Sequence, residues 1–314
     1  MAFGCSSSTL DRREYLRTSC KHAMITSVVS SVPMSAGATV DKVDFEQVSY
    51  DVDSLNDLPE LAPNHVRLFL VRHGQTENNR LRLVQGARVD PPINLTGQLM
   101  ARRDGMVLSE LCSRGKTCPK MIVHSQLMRA KETAEEIASV VANTKGKNLL
   151  IQQFDGLGEV DFGPVAEGQP ISEVRAEMTK IYGYWALGQI DREPDAGGET
   201  GRAVISRACE SLLYLTKMAQ RSGGSIVAVS HSTFLRILLG VCLDKPLLEA
   251  ATIEQKNGCI NVIDVDPGGP LIKISQNSNI FGGSLSLAPQ GTEFFRPSLK
   301  VIRVNEYRQL KGLI

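Results

Sequence analysis

The chain has 314 residues, 42% hydrophobic and 22% charged, with 35 Lys and Arg against 34 Asp and Glu for a formal net charge of +1. That is the composition of a soluble globular protein large enough to bury a core without staples, and its balanced charge excludes a bulk basic surface for nucleic acid or acidic lipid, so any anion must be bound by a local cluster. No run reaches the roughly 18 to 20 apolar residues of a membrane span.

The first forty residues are rich in Ser and Thr, and Arg12, Arg13, Arg17 and Lys21 outnumber Asp11 and Glu14. Their composition leans toward an organellar transit peptide, with a plain polar tail as the alternative. Residues 1–60 are therefore expected to form an N-terminal extension. Within it the acidic stretch that begins DKVDFEQVSYDVD reads as a linker or a surface wrap. Residues 61–314 are expected to form one catalytic domain.

From about residue 65 apolar strands alternate with amphipathic helices. VRLFLVRH is a buried strand, LTGQLMARRDGMVLSEL a helix and MIVHS a second strand. SQLMRAKETAEEIASVVA is a helix with Ser125 as its expected cap, and NLLIQQF a third strand. Helices are expected over about Ile171–Leu187 and Thr200–Ala219, followed by the strand SIVAVSH and the helix STFLRILLGVCL. CINVIDVD and LKVIRVNEY are strands, separated by a Gly/Ser/Pro-rich insertion at about 267–296 that reads as a hairpin or a loose loop. The order implies an α/β three-layer sandwich, a mainly parallel central sheet with helices on both faces.

The cysteines are Cys5, Cys20, Cys112, Cys118, Cys209, Cys242 and Cys259. Their scattered spacing and the lack of any CxxC indicate neither a zinc site nor a disulfide framework. Cys209, Cys242 and Cys259 sit in apolar runs and are expected to be buried free thiols. That favours a reducing, intracellular setting, cytoplasmic by default.

Ligands of such sheets bind beyond the carboxyl ends of the parallel strands. Arg72 and His73 end one strand, His124 and Ser125 another, Ser230 and His231 a third, so two histidines should meet in one crevice. Arg129 follows one helical turn after the second strand, and a helix starting at that edge also aims free N–H groups inward. Guanidinium groups match phosphate geometry, and an imidazole among arginines keeps its lone pair. The expected ligand is a phosphoryl group on a small substrate. Gly74 would let it approach the backbone, and Thr76 and Asn79 would add neutral donors. Glu159, in LGEVDFGPVAEG, is the expected proton donor, with Asp161 its competitor. Glu199 of GGET either contacts substrate or supports the site from behind. Ser232, which begins the helix after His231, is expected to bind substrate, and Arg88 would reach the far end of the substrate. His124 reads as packing, and Arg236 as a helix-surface or sheet-edge charge.

Five motifs, RHGQTENN, SQLMRAKETA, LGEVDFG, GGET and VSHSTFLR, stand in the order of the histidine phosphatase superfamily, in its phosphoglycerate-mutase-like branch, which the chain resembles. The likeness spans about Val66 to Arg236, and the terminal strands extend it to roughly Leu310. The resemblance implies that His73 becomes phosphorylated and that Arg72, Arg129 and His231 bind the phosphoryl oxygens. Asn79 would contact phosphate, and Glu159 would donate the proton. The sequence departs from relatives at Asn78, where Trp is common, and at Gln126, where an acid is usual. Ser232 and Thr233 stand in place of glycines. The Trp-containing turn of the mutases, expected near Val84–Gly86, is absent. These departures favour a metal-independent phosphomonoesterase, needing no cofactor, over a primed mutase. A metallohydrolase is disfavoured because the histidines lack HxH or HxxxH spacing. A non-catalytic phosphate-binding scaffold and a homodimer both stay open.

Overall fold

In the computed structural model the run VRLFLVR becomes β1 (Val66–Arg72), every residue of it buried except Arg72. The structure describes residues 51–314 apart from 52, 116, 147, 188, 196, 275–279 and 281–293. The expected tail and targeting segment lies outside the described residues. Val48–Ile314 form one compact unit.

After β1 come a short helix α1 (Glu77–Arg80), α2 (Leu95–Ser113), β2 (Met121–His124), α3 (Met128–Lys145) and β3 (Leu150–Gln153). Then follow α4 (Ile171–Ala186), α5 (Gly201–Arg221), β4 (Ser225–Ser230), α6 (Ser232–Leu243) and α7 (Leu247–Ala250). Four strands, β5 (Ile260–Asp266), β6 (Ile272–Ile274), β7 (Phe294–Arg296) and β8 (Ser298–Glu306), complete the order. The central sheet runs β3-β2-β4-β1-β5-β8. β3, β2, β4 and β1 are mutually parallel, while β5 is antiparallel to both β1 and β8.

The pleat of β1 divides its side chains between two cores. Val66, Leu68 and Leu70 face a core closed by α5 and α6 through Val204, Ala208, Phe234 and Leu238. Phe69 and Val71 face the other, closed by α2 and α3 through Leu108, Leu111, Ala134 and Ile137. The expected three-layer sandwich is present. β6 and β7 pair as a two-stranded antiparallel ribbon at the two ends of the Gly/Ser/Pro-rich insertion; most of the segment between them lies outside the described residues.

One open alternative is decided, for the surface wrap over the linker, and two expectations change. Residues 53–60 wrap the domain: Leu55 and Leu58 are buried, and Asp53 and Asp57 pair with Arg114 and Arg303. Ser125 is not the cap of α3, whose N-cap is Leu127 with no side-chain bond. The disulfide expectation is also corrected, because Cys112 and Cys118 are bonded, their Cα atoms 4.6 Å apart. Gly115, with φ of 70°, sits in the left-handed conformation that turns the chain back after α2, which spacing alone does not reveal. Cys209, Cys242 and Cys259 are buried free thiols, as expected.

Candidate active site

Because β1 and β4 are parallel and their register ends with Arg72 opposite Ser230, the residues following them emerge side by side. The His73 and His231 rings lie 5.1 Å apart between centroids, tilted by 52°. Both are buried. His73 N–H donates to the Ser230 carbonyl at 3.0 Å, which ties the two strand ends together.

The hydrogen bonds assign a tautomer to each ring. His73 Nδ1 is 2.8 Å from the Gly74 carbonyl, which can only accept. The proton is therefore on Nδ1, and Nε2 carries the lone pair. At His231 the order is reversed. Arg129 Nε, which can only donate, reaches His231 Nδ1 at 3.2 Å, and His231 Nε2 then donates to Ser125 Oγ at 2.7 Å. Burial, followed by the charges of Arg129 and Arg72, holds the His73 imidazolium well below its usual range. His231 is lowered the same way, first by burial and then by Arg129 and the His73 ring.

Arg129 is fully buried among acceptors. Besides His231 it donates to the Val89 carbonyl at 2.8 Å, to Asp90 Oδ1 at 3.3 Å and to the Gly86 carbonyl at 2.9 Å. Arg72 donates Nη1–H to the Gln255 carbonyl at 2.6 Å, and its buried Nε has no partner among the described residues. Burial pushes Arg72 down to about 10, with Cys259 and Glu159 partly restoring it. A buried guanidinium N–H without an acceptor is costly unless a ligand supplies one.

Glu159 is buried at the start of α6. Its Oε1 accepts from the Val160 and Phe234 N–H groups, both at 2.9 Å, and Oε2 accepts from Thr233 N–H at 3.1 Å. The N-terminus of α3 is likewise filled, by Asp90 Oδ2 on Met128 N–H at 2.8 Å. The expectation that a helix N-terminus offers free N–H groups to the ligand is thus corrected, since the chain's own carboxylates reach the first turns of α3 and α6.

Gly74 serves a different purpose from the one expected. Its N–H is spent on Thr133 Oγ1 at 3.0 Å, and a Cβ there would run into the backbone of Gly97. The glycine lets the loop after β1 lie against the first turn of α2. Thr76, expected to donate to substrate, is buried as the N-cap of α1. Its Oγ1 lies 2.8 Å from Gln85 Oε1, and it forms a capping box with Asn79. Asn79 Oδ1 is taken by Thr76 N–H and by Asn257 Nδ2, which leaves Asn79 Nδ2 as the donor.

Glu199 does not stand free for a substrate. It pairs with Arg207 at 2.7 Å and 3.0 Å, and Arg207 donates onward to the Gly156 and Gly158 carbonyls, bracing the loop that carries Glu159. Arg88 is held by both oxygens of Asp161 at 2.7 Å and 2.9 Å. Ser232 opens α6 half-buried. His124 Nδ1–H donates to the Ser125 carbonyl at 2.7 Å, in keeping with a packing role. Arg236 is half-buried and donates Nε–H to the Ile253 carbonyl at 2.9 Å, which corrects its reading as a surface charge.

Sequence reasoning missed Arg207 and Asn257. Nothing in ISRACE or EQKNGC marks them, since an arginine on an amphipathic helix reads as surface and Asn-Gly before a strand reads as a turn. Among the described residues no three His, Cys, Asp or Glu side chains are grouped to hold a metal ion. Nor is any helix there long and apolar enough to cross a membrane.

The model of the histidine phosphatase superfamily (branch 1) matches residues 68–278, more than half of the chain. The chain belongs to that superfamily. A broad-specificity phosphatase of Saccharomyces cerevisiae, YOR283W, is 39% identical over 177 residues, 56% of this chain and 70% of the yeast protein. The fructose-2,6-bisphosphatase TIGAR of Bos taurus is 26% identical over 204 residues, 65% of this chain and 67% of the bovine one. The fold matches the crystal structure of a phosphoglycerate mutase from Bacillus anthracis with a TM-score of 0.54 at 21% identity, covering 65% of this chain and 90% of that one. This histidine phosphatase therefore has phosphatase relatives by sequence and a mutase-like fold.

Proposed function

We propose that this histidine phosphatase is a metal-independent phosphomonoesterase that acts on a small phosphorylated metabolite through a phosphohistidine at His73. The observation that carries the reading is the pairing of His73 and His231 across a 5.1 Å centroid gap, with opposite tautomers, beside the buried Arg129 and the half-buried Arg72. His73 Nε2 attacks phosphorus in line, and the bond from phosphorus to the leaving oxygen breaks. That oxygen takes a proton from Glu159, whose carboxyl is held at the pocket by three backbone N–H groups. Water then attacks the phosphohistidine, Glu159 receives the proton, and the N–P bond breaks to free phosphate and His73. Arg72 Nε and Arg129 supply positive charge where charge grows on the equatorial oxygens, and the neutral His231 ring supplies a donor when its Nε2–H turns from Ser125 Oγ to a phosphoryl oxygen.

The names of the yeast and bovine relatives support hydrolysis of phosphate esters, one broadly and one on a sugar bisphosphate. A panel of phosphate esters hydrolysed with a chelator present, by the wild type and by His73→Ala, tests the reading. The expected result is turnover by the wild type alone, with acid-labile phosphate trapped on His73. Turnover retained in His73→Ala, or activity abolished by the chelator, would remove it. Turnover that requires a bisphosphorylated primer would turn it into the mutase reading.

A further inference from the structure

We propose that Asn257 is a positioning residue for the phosphoryl transfer, one carboxamide that sets both the nucleophile and a neutral donor beside it. Asn257 arrives on the loop before β5, almost two hundred residues after His73. Its Nδ2 lies 3.2 Å from the His73 carbonyl, 3.4 Å from the Gly74 carbonyl and 3.0 Å from Asn79 Oδ1. Two N–H bonds are thus shared among three acceptors, and all three belong to the loop that carries the nucleophile.

Each contact has a consequence for the chemistry. The Gly74 carbonyl is the atom that takes the His73 Nδ1 proton and so leaves Nε2 with its lone pair. Asn257 holds that carbonyl, and with it the orientation of the imidazole. At Asn79, the Asn257 NH2 group, turned this way by the His73 and Gly74 carbonyls, and the Thr76 N–H can only donate, so both require the Asn79 oxygen. The Asn79 amide is thereby turned so that its NH2 group is the part left for a phosphoryl oxygen. Without Asn257 one of these two locks is gone, and Asn79 is freer to flip.

Asn257 is itself held firmly. The next residue, Gly258, donates its N–H to the Arg72 and His73 carbonyls at 3.1 Å and 3.3 Å, with a left-handed φ of 70°. Arg72 and Arg236 grip the Gln255 and Ile253 carbonyls, and Lys256 N–H donates to Asn305 Oδ1 at 2.9 Å. The loop is therefore a rigid mount fixed to β1, β5 and β8. An amide on such a mount can hold a near-attack geometry within the small tolerance that in-line transfer demands.

The inference rests on His73 being the nucleophile, and its test separates the two claims. Asn257→Ala, Asn257→Ser and Asn257→Asp are compared with wild type and His73→Ala. The readouts are kcat, KM, the single-turnover rate of phosphohistidine formation and the thermal midpoint. Asn257→Ala is expected to lower kcat and phosphohistidine formation together by about 10- to 100-fold, the range for losing groups that orient a reacting residue. KM should move much less, and the thermal midpoint should stay within a few degrees of wild type. Asn257→Ser keeps a shorter donor and should recover part of the loss. Asn257→Asp, with oxygens facing three acceptors, should be slower than Asn257→Ala. Removing Asn79 in the Asn257→Ala background should cost less than removing it from the wild type, because the two act as a unit. Folded Ala and Ser variants with wild-type phosphohistidine formation would overturn the proposal, as would losses that merely follow the fraction of unfolded protein. If His73→Ala stays active, the phosphohistidine reading falls first; if it is dead while Asn257→Ala is fully active, only the present inference falls.

Discussion

The ends of β1 and β4 lie next to each other in the same sheet, deliver a histidine each and bury both, yet they prepare the two rings for different work. Burial and the same arginines hold both imidazolium forms well below the ordinary range. The environment they share therefore explains why both are neutral but not why they differ. The difference is the group at Nδ1, an acceptor carbonyl for His73 and a donor guanidinium for His231. One ring then presents a lone pair at Nε2 and the other a proton. Electrostatics sets the charge of the pair, and hydrogen bonding divides the labour within it.

The comparison breaks most directly at His73. His73→Ala should lower kcat by about 10⁴-fold or more, the scale for removing a nucleophile from a catalytic unit, as read in a steady-state ester assay. If His231 can substitute for it, the division between the rings is false. His231→Ala should cost less, about 10²- to 10³-fold in kcat, as expected for losing one donor to developing charge. Its single-turnover trace should still show a phosphohistidine. Glu159→Gln should lie in a similar range, about 10²- to 10⁴-fold, with the slow step depending on the leaving group because the proton donor is gone. Poor leaving groups such as alkyl phosphates should suffer more than aryl phosphates.

A pH series sharpens what the two rings share. The unfolded chain takes up protons near the ordinary imidazole value of 6.5, whereas the folded site refuses them until well below it. Protons therefore favour the unfolded state in that window. Stability is full above pH 6.5 and falls as the pH drops below it, by up to about 1.4 kcal/mol per pH unit for each ring. Urea unfolding over that range should show the slope, and the double variant His73→Ala/His231→Ala should flatten it. The acid limb of kcat/KM should likewise lie below 6.5.

The smallest effect is expected at the rim. Arg88→Ala removes an ion pair with Asp161 whose arginine side chain is 48% exposed. Such exposed pairs contribute little, so stability measured by urea unfolding should stay at the wild-type value within error. A change in substrate preference without a change in stability would show that Arg88 leaves Asp161 when substrate binds.

Much of the site was legible because it sits where local patterns end. An apolar run stopping at Arg-His-Gly marks a strand end, and parallel strands bring such ends together, so the pattern alone places His73, His231, Arg72 and Arg129. The misreadings share a cause. Gly74 and Thr76 read as substrate contacts because they are small or polar and lie in the right motif, while Glu199 stays open between contact and support. Their partners Gly97, Gln85 and Arg207 lie outside the motifs, across turns whose geometry no spacing announces. The same holds for Asp90 and Glu159, which fill the first turns of α3 and α6 that had been reserved for the ligand.

The order of elements, the parallel sheet and the identities of the converging charges were determined by the sequence alone, because hydrophobic periodicity and strand-end position are local properties that any register must respect. The tertiary structure alone decided which ring nitrogen carries the proton, which donors remain unspent and that Asn257 reaches the nucleophile's loop. Those outcomes depend on single hydrogen bonds of about 3 Å between residues far apart in the chain, and such distances exist only once the chain has closed on itself.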